Sequence, residues 1–179
     1  MLLQITILVL AGLMLAAAFF DASKFIIPNW LVGLVILTFP IAALAAGLGW
    51  SEVGNHLLGG LVALVIGFAL FAPGWIGGGD AKLFAAAALW FGWPEIIAFL
   101  IHTVMAGGVL VLLLLALRWL APRIPALAGK IEGTALAVKS PVPYGIAIAA
   151  GVFWCFPTTE FVPAFYDYLC VFLGALGEG

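Results

Sequence analysis

The sequence predicts an all-α membrane protein, a bundle of about six transmembrane helices with the N-terminus outside. Three observations predict it. Hydrophobic residues make up 66% of the chain and charged residues only 8%, where a soluble domain carries roughly a quarter charged residues. Apolar runs close to the length needed to cross hydrocarbon, about 20 residues, recur along the chain. All six Lys and Arg fall in alternate loops, the distribution that the positive-inside rule expects of one membrane face.

The first run, residues 2–20, has no Lys or Arg before it. It lacks the basic flank of a cleavable signal and reads as a retained first span. Runs 30–48, 57–75 and 96–117 meet the spanning length directly. Residues 83–93 are too short alone. They suffice only as a span over 78–93, with the "GGGD" turn at membrane depth and shielded from lipid by protein or facing a water-filled cavity. Residues 141–156 form the sixth candidate. A weaker seventh segment, 161–176, is interrupted by Asp167 and reads either as a span or as a helix along the interface. No internal repeat or long linker divides the chain, so residues 1–179 are expected to form one polytopic domain.

Charge placement orients this bundle. Lys24 lies in the first loop, Lys82 just after the third span, and Arg118, Arg123, Lys130 and Lys139 in the fifth loop. The opposite loops hold Glu52, Glu95 and Glu160 with no Lys or Arg. The first, third and fifth loops are therefore expected in the cytoplasm. The lipid bilayer is the partner that composition implies, and a net charge of −2 gives no reason to expect nucleic acid. Oligomeric state is not legible in the sequence.

Ionisable residues beside hydrocarbon are costly and usually functional. In this topology Asp21 ends the first span and Asp80 opens the fourth, both at the cytoplasmic face, where helices one and four are candidates to be neighbours. A plainer reading stands beside this one: Asp80, after three glycines and before an Ala-rich run, has the character of a helix N-cap. Two carboxylates at matched depth favour the chemical reading. Such a pair shares a proton, so one member is a base that activates water and the other an acid that protonates a departing amine. Gly77, Gly78 and Gly79 let a substrate backbone approach without side-chain obstruction.

Three motifs carry a family resemblance. "GGGDAK" (residues 77–82) matches the GxGD signature of intramembrane aspartic proteases, and "DASKFIIPN" (21–29) resembles the segment around the first catalytic aspartate of type IV prepilin peptidases. "PVPYGIAIAAG" (141–151) is similar to the Pro-Tyr-Gly motif on the sixth span of that family. The resemblance covers about residues 1–157. It implies a membrane aspartic endopeptidase of the bacterial inner membrane, with Asp21 and Asp80 catalytic. Prepilins or pseudopilins are then the substrate partners, cut behind a basic leader on the cytoplasmic side, commonly after a glycine. Larger members carry a zinc-binding loop with paired CxxC motifs and also N-methylate the new terminus with S-adenosylmethionine. This chain has two cysteines, Cys155 and Cys170, and no CxxC. It therefore resembles the short Tad/Flp-type members, without methylation, cofactor or metal.

Other polar residues carry weaker signals. Lys24 and Lys82 each lie within three residues of an aspartate, suited to lipid headgroups or to stabilising a carboxylate. Pro28 and Asn29 belong to the first motif, where Asn29 is a candidate for substrate backbone or for capping the second span. Pro143, Tyr144 and Gly145 are supporting candidates through the third motif. His56 and His102, on the outer side or within a span, read as structural, Glu132 as a solvated loop charge, and the cysteines as buried free thiols. A rival class remains: a small proton-coupled transporter or a pilus or secretion assembly factor with Asp21 and Asp80 as proton carriers. A transporter would place such carboxylates near the midplane and often show repeats, and neither is seen here.

Overall fold

The computed structural model describes residues 1–120, 123, 134–137 and 140–163. Among the described residues six α-helices follow one another: α1 (Leu2–Lys24), α2 (Asn29–Ala46), α3 (Trp50–Phe71), α4 (Gly78–Ala88), α5 (Ile96–Leu120) and α6 (Tyr144–Cys155). A 3₁₀ turn, Phe156–Thr158, extends α6. No strand occurs among the described residues. The protein is an all-α membrane protein.

Only four of the six helices have the length and hydropathy to cross a bilayer alone: α1, α2, α3 and α5. At 1.5 Å per residue, the 11 residues of α4 span about 16 Å. The 12 residues of α6 span about 18 Å. The expected spans 78–93 and 141–156 are thus shorter helices, with turns completing their course. The third span also begins earlier than hydropathy suggested. Glu52 folds back so that its Oε2 accepts the Gly49 N–H at 2.6 Å, which starts α3 at Trp50 rather than at residue 57. At the other end α3 stops at Phe71, and Trp75 lies in the turn that follows. The weak seventh segment falls mostly outside the described residues.

The short α4 is largely enclosed. Ala81, Leu83, Phe84, Ala86, Ala87 and Ala88 are all buried, and it packs on α2, α3 and α6. Glycines make the α3–α4 contact possible. A Cβ on Gly59 would lie 2.9 Å from the Gly92 carbonyl carbon, and one on Gly67 would lie 3.2 Å from the Ala81 oxygen. Small residues substitute for a hydrophobic driving force where lipid is as apolar as the side chains. α1 packs on α2 and α6, and α5 on α6. The sequence offers α1 and α4 as candidate neighbours; both pack on α2 and α6, which bring their aspartate-bearing ends to one pocket.

Outward faces are apolar throughout. Leu8, Phe19, Leu37, Val65, Met105 and Leu112 are among the exposed large hydrophobics, a surface that only lipid or protein would cover. At the end distant from the aspartates an aromatic cluster closes the bundle. Phe39 and Phe161 pack on His56, whose Nδ1 donates to the Leu89 carbonyl at 2.7 Å, and Trp90 packs on both phenylalanines. Trp90 Nε1 donates to Val35 O at 3.2 Å.

Candidate active site

Asp21 sits one turn before the end of α1, with 5% of its surface exposed. Phe25 ends that helix in the left-handed conformation, φ 54°, and its N–H returns to the Asp21 carbonyl at 2.9 Å. The Asp21 side chain meets α6. Its Oδ2 accepts the Gly145 N–H at 2.6 Å. Gly145 is the second residue of α6, behind the buried N-cap Pro143, so its N–H is one of the donors that a helix start leaves without an intrahelical acceptor. Amide donors and the helix dipole both favour a negative charge there.

Asp80 stands at the start of α4. The N-cap role is not the one it has: Gly77 is the N-cap, and Asp80 is three residues into the helix, with its Oδ2 turned back to Gly77, where a Cβ would lie 2.9 Å away. The other oxygen, Oδ1, is buried without a hydrogen-bond partner. A carboxylate oxygen buried without a partner has a real energetic cost.

The two carboxylates border one polar pocket of about 340 Å³, shared with Phe25, Ile27, Asn29, Gly77–79 and Lys82. They are close enough for the charge of Asp21 to bear on Asp80. Lys82 Nζ donates to Asn29 Oδ1 at 3.2 Å, joining α4 to the start of α2 across the exposed rim. Asn29 is therefore the first residue of α2 rather than its cap, which is Pro28. Gly79 packs against Ile27, where a Cβ would come within 3.3 Å.

On its other side Asp80 borders a second, apolar cavity of about 560 Å³ between α4, α5 and α6. Phe84, Val104, Gly107, Val111 and Tyr144 are among its walls. Asp80 is thus the junction between a polar chamber and an apolar one.

The expected site residues divide cleanly. Asp21, Asp80, Gly77, Gly78, Gly79, Asn29 and Lys82 surround the polar pocket, Gly145 touches Asp21, and Tyr144 lines the apolar cavity. Pro28 and Pro143 set the starts of α2 and α6. Lys24 turns away, with its ammonium 5.4 Å from the Phe20 ring centre. His102 bonds Ala98 O at 2.7 Å and lies 3.2 Å from the sulfur of buried Cys155. Cys170 and Glu132 lie outside the described residues. Among the described residues, no group of three or more His, Cys, Asp or Glu is placed to hold a metal ion. Arg118 went unrecognised as more than a topology charge. Its guanidinium donates to the backbone of the segment that leads into α6. No local pattern announces that role, because its acceptors are backbone carbonyls.

The model of the type IV leader peptidase family matches residues 8–112. The chain belongs to the type IV leader peptidase family. The matched stretch runs through Asp21, the three glycines and Asp80, and ends before the Tyr144–Gly145 contact. Membership makes this a leader-peptidase-like protein of the membrane. No curated protein and no solved structure matches the chain.

Proposed function

We propose that this leader peptidase is an aspartic endopeptidase that removes the basic leader from prepilins or pseudopilins of the Flp type. The reaction takes place at the cytoplasmic face of the bacterial inner membrane. The observation that carries the proposal is the position of Asp80, facing Asp21 across a polar pocket and bordering an apolar cavity behind it. A substrate suited to both chambers changes from polar to apolar at the bond being cut. A basic leader followed by an apolar helix has that character.

The chemistry needs only the two carboxylates and a water. The ionised member takes a proton from water as its oxygen forms a bond to the scissile carbonyl carbon. The protonated member gives its proton to the amide nitrogen as the C–N bond breaks. The Gly145 N–H holds Asp21 in place, and Asp80 lies folded back against Gly77. The free Oδ1 of Asp80 is the oxygen left for the reacting groups. The three glycines leave the pocket wall bare, so an extended backbone can lie against it. The Flp assignment rests on the sequence, whose two cysteines, Cys155 and Cys170, form no CxxC motif of the kind that larger relatives carry.

Asparagine at position 21 keeps an acceptor for the Gly145 N–H, but at either position it cannot exchange the proton. Asp21→Asn and Asp80→Asn should each abolish leader cleavage, read as pilin mobility on a gel, while the enzyme still accumulates in the membrane. The double variant should be no worse than either single one, because the pair acts as a unit. Asp→Glu should fail as well, since one methylene misplaces the carboxylate. Normal processing by either Asn variant at normal abundance leaves Asp80 with a structural role.

A further inference from the structure

Arg118, in the last turn of α5, makes a fan of hydrogen bonds to the chain approaching α6. Nε donates to Ala135 O at 3.0 Å, and Nη2 donates to Ser140 O at 2.8 Å and Pro141 O at 3.4 Å. Bonds inside the turn close it on itself: Ser140 Oγ donates to Thr134 O at 2.8 Å, and Ser140 N donates to Ala137 O at 3.0 Å. The guanidinium ties that turn to α5. It suits the task because it is always charged and presents rigidly arranged donors to several acceptors at once.

The path from those carbonyls to Asp21 is short and stiff. Residues 141–143 read Pro-Val-Pro, and each proline ring locks φ. Pro143 is buried as the N-cap of α6, and two residues later the Gly145 N–H meets Asp21 Oδ2 at 2.6 Å. There is little room for error at that meeting. A Cβ on Gly145 would lie 2.9 Å from the Asp21 Cβ.

We infer that Arg118 is a positioning residue for Asp21: by anchoring the segment before α6 to the end of α5, it sets where the Gly145 N–H meets the carboxylate. The inference rests on the reading of Asp21 as catalytic and extends it to a residue 97 positions away, 118 less 21. A topology charge or a lipid-headgroup ligand would be served as well by lysine. A lysine ammonium has no planar fork and cannot reproduce the fan.

The test compares Arg118→Lys, Gly145→Ala and their combination, with a synthetic prepilin as substrate and enzyme purified in detergent. Arg118→Lys should lower kcat by about tenfold or more, on the scale that a sub-ångström to 1 Å misplacement produces, with KM within about twofold. If Arg118 acts through the Gly145 contact, the combined variant should be no slower than Gly145→Ala alone. Wild-type kcat in Arg118→Lys overturns the inference, and so does a combined variant whose losses multiply. A second readout needs no catalysis. A 3-fluorotyrosine placed at position 144 should give a ¹⁹F resonance that shifts or splits on Arg118→Lys, and an unchanged resonance overturns the inference. Should Arg118→Lys fail to accumulate, Arg118→Gln carries the same comparison. A wild-type enzyme that cuts no prepilin removes the proposed function, whereas the fluorine comparison still decides whether Arg118 holds the start of α6.

Discussion

Replacing Gly145 by alanine adds one methyl group at the contact between α6 and Asp21. The new carbon would stand 2.9 Å from the Asp21 Cβ, 3.0 Å from Oδ2 and 3.3 Å from Cγ. Carbon–carbon contacts relax at about 3.5–4.0 Å, so α1 and α6 must part locally by roughly 0.6–1 Å. Neither side yields easily: Gly145 and Asp21 are both buried, and Pro143 fixes the start of α6 just before them. The separation comes directly out of the 2.6 Å hydrogen bond that orients the carboxylate. A displacement near 1 Å in an active site costs about 100-fold in rate, or roughly 2.7 kcal/mol of barrier. Overpacking adds about 1–3 kcal/mol of destabilisation, so abundance must be measured beside activity. The assay is the first-order rate of prepilin cleavage in membranes, normalised to enzyme by immunoblot. Gly33→Ala is the matched control, because a Cβ there meets no atom within 4 Å. It should cleave at the wild-type rate. Gly145→Ala cleaving within about threefold of wild type at equal abundance would refute the claim that this contact places Asp21.

Three further outcomes are expected. His56→Ala removes a buried hydrogen bond to Leu89 O and ring contacts with Phe39 and Phe161, so thermal unfolding in detergent should show a loss of about 1–3 kcal/mol. Cleavage per folded molecule should stay unchanged, because His56 lies at the opposite end of the bundle from both aspartates. Cleavage should survive EDTA without added zinc; loss on chelation with recovery on zinc would place a metal in the chemistry. A topology reporter fused after Lys130 should report cytoplasm and one at Glu52 periplasm. The reverse pattern would put Asp21 and Asp80 on the wrong side for prepilin leaders.

Several helix boundaries differ from the hydropathy reading, and each difference has a local cause. Ser51, Glu52, Asn55 and His56 depress hydropathy, yet they are helical because Glu52 caps α3 and His56 is buried among rings. Asn29 sits one position inside α2 because Pro28 already has the extended backbone of a cap, φ −64° and ψ 138°. Residues 78–93 looked like one span. The helix ends at Ala88, and turns carry the chain through Gly92, φ 68°, to α5. A sliding average of side-chain character does not detect a glycine that needs positive φ.

Composition and local pattern alone determined that this chain lives in a membrane. They also predicted, through the positive-inside rule, that the basic residues share one face and that Asp21 and Asp80 belong to it. These are one-dimensional properties: transfer of each side chain to lipid is nearly additive along the chain, and a carboxylate beside hydrocarbon stands out wherever it occurs. Tertiary structure alone decided which atoms meet. The Asp21–Gly145 hydrogen bond, the Lys82–Asn29 bridge and the Arg118 fan join residues from different helices, several through backbone groups that every residue possesses. The unpartnered oxygen of Asp80 likewise depends on what α2, α3 and α6 place around α4. Such contacts depend on how glycine-lined helices approach and on where prolines start them. Packing sets those distances to fractions of an ångström, which hydropathy cannot register.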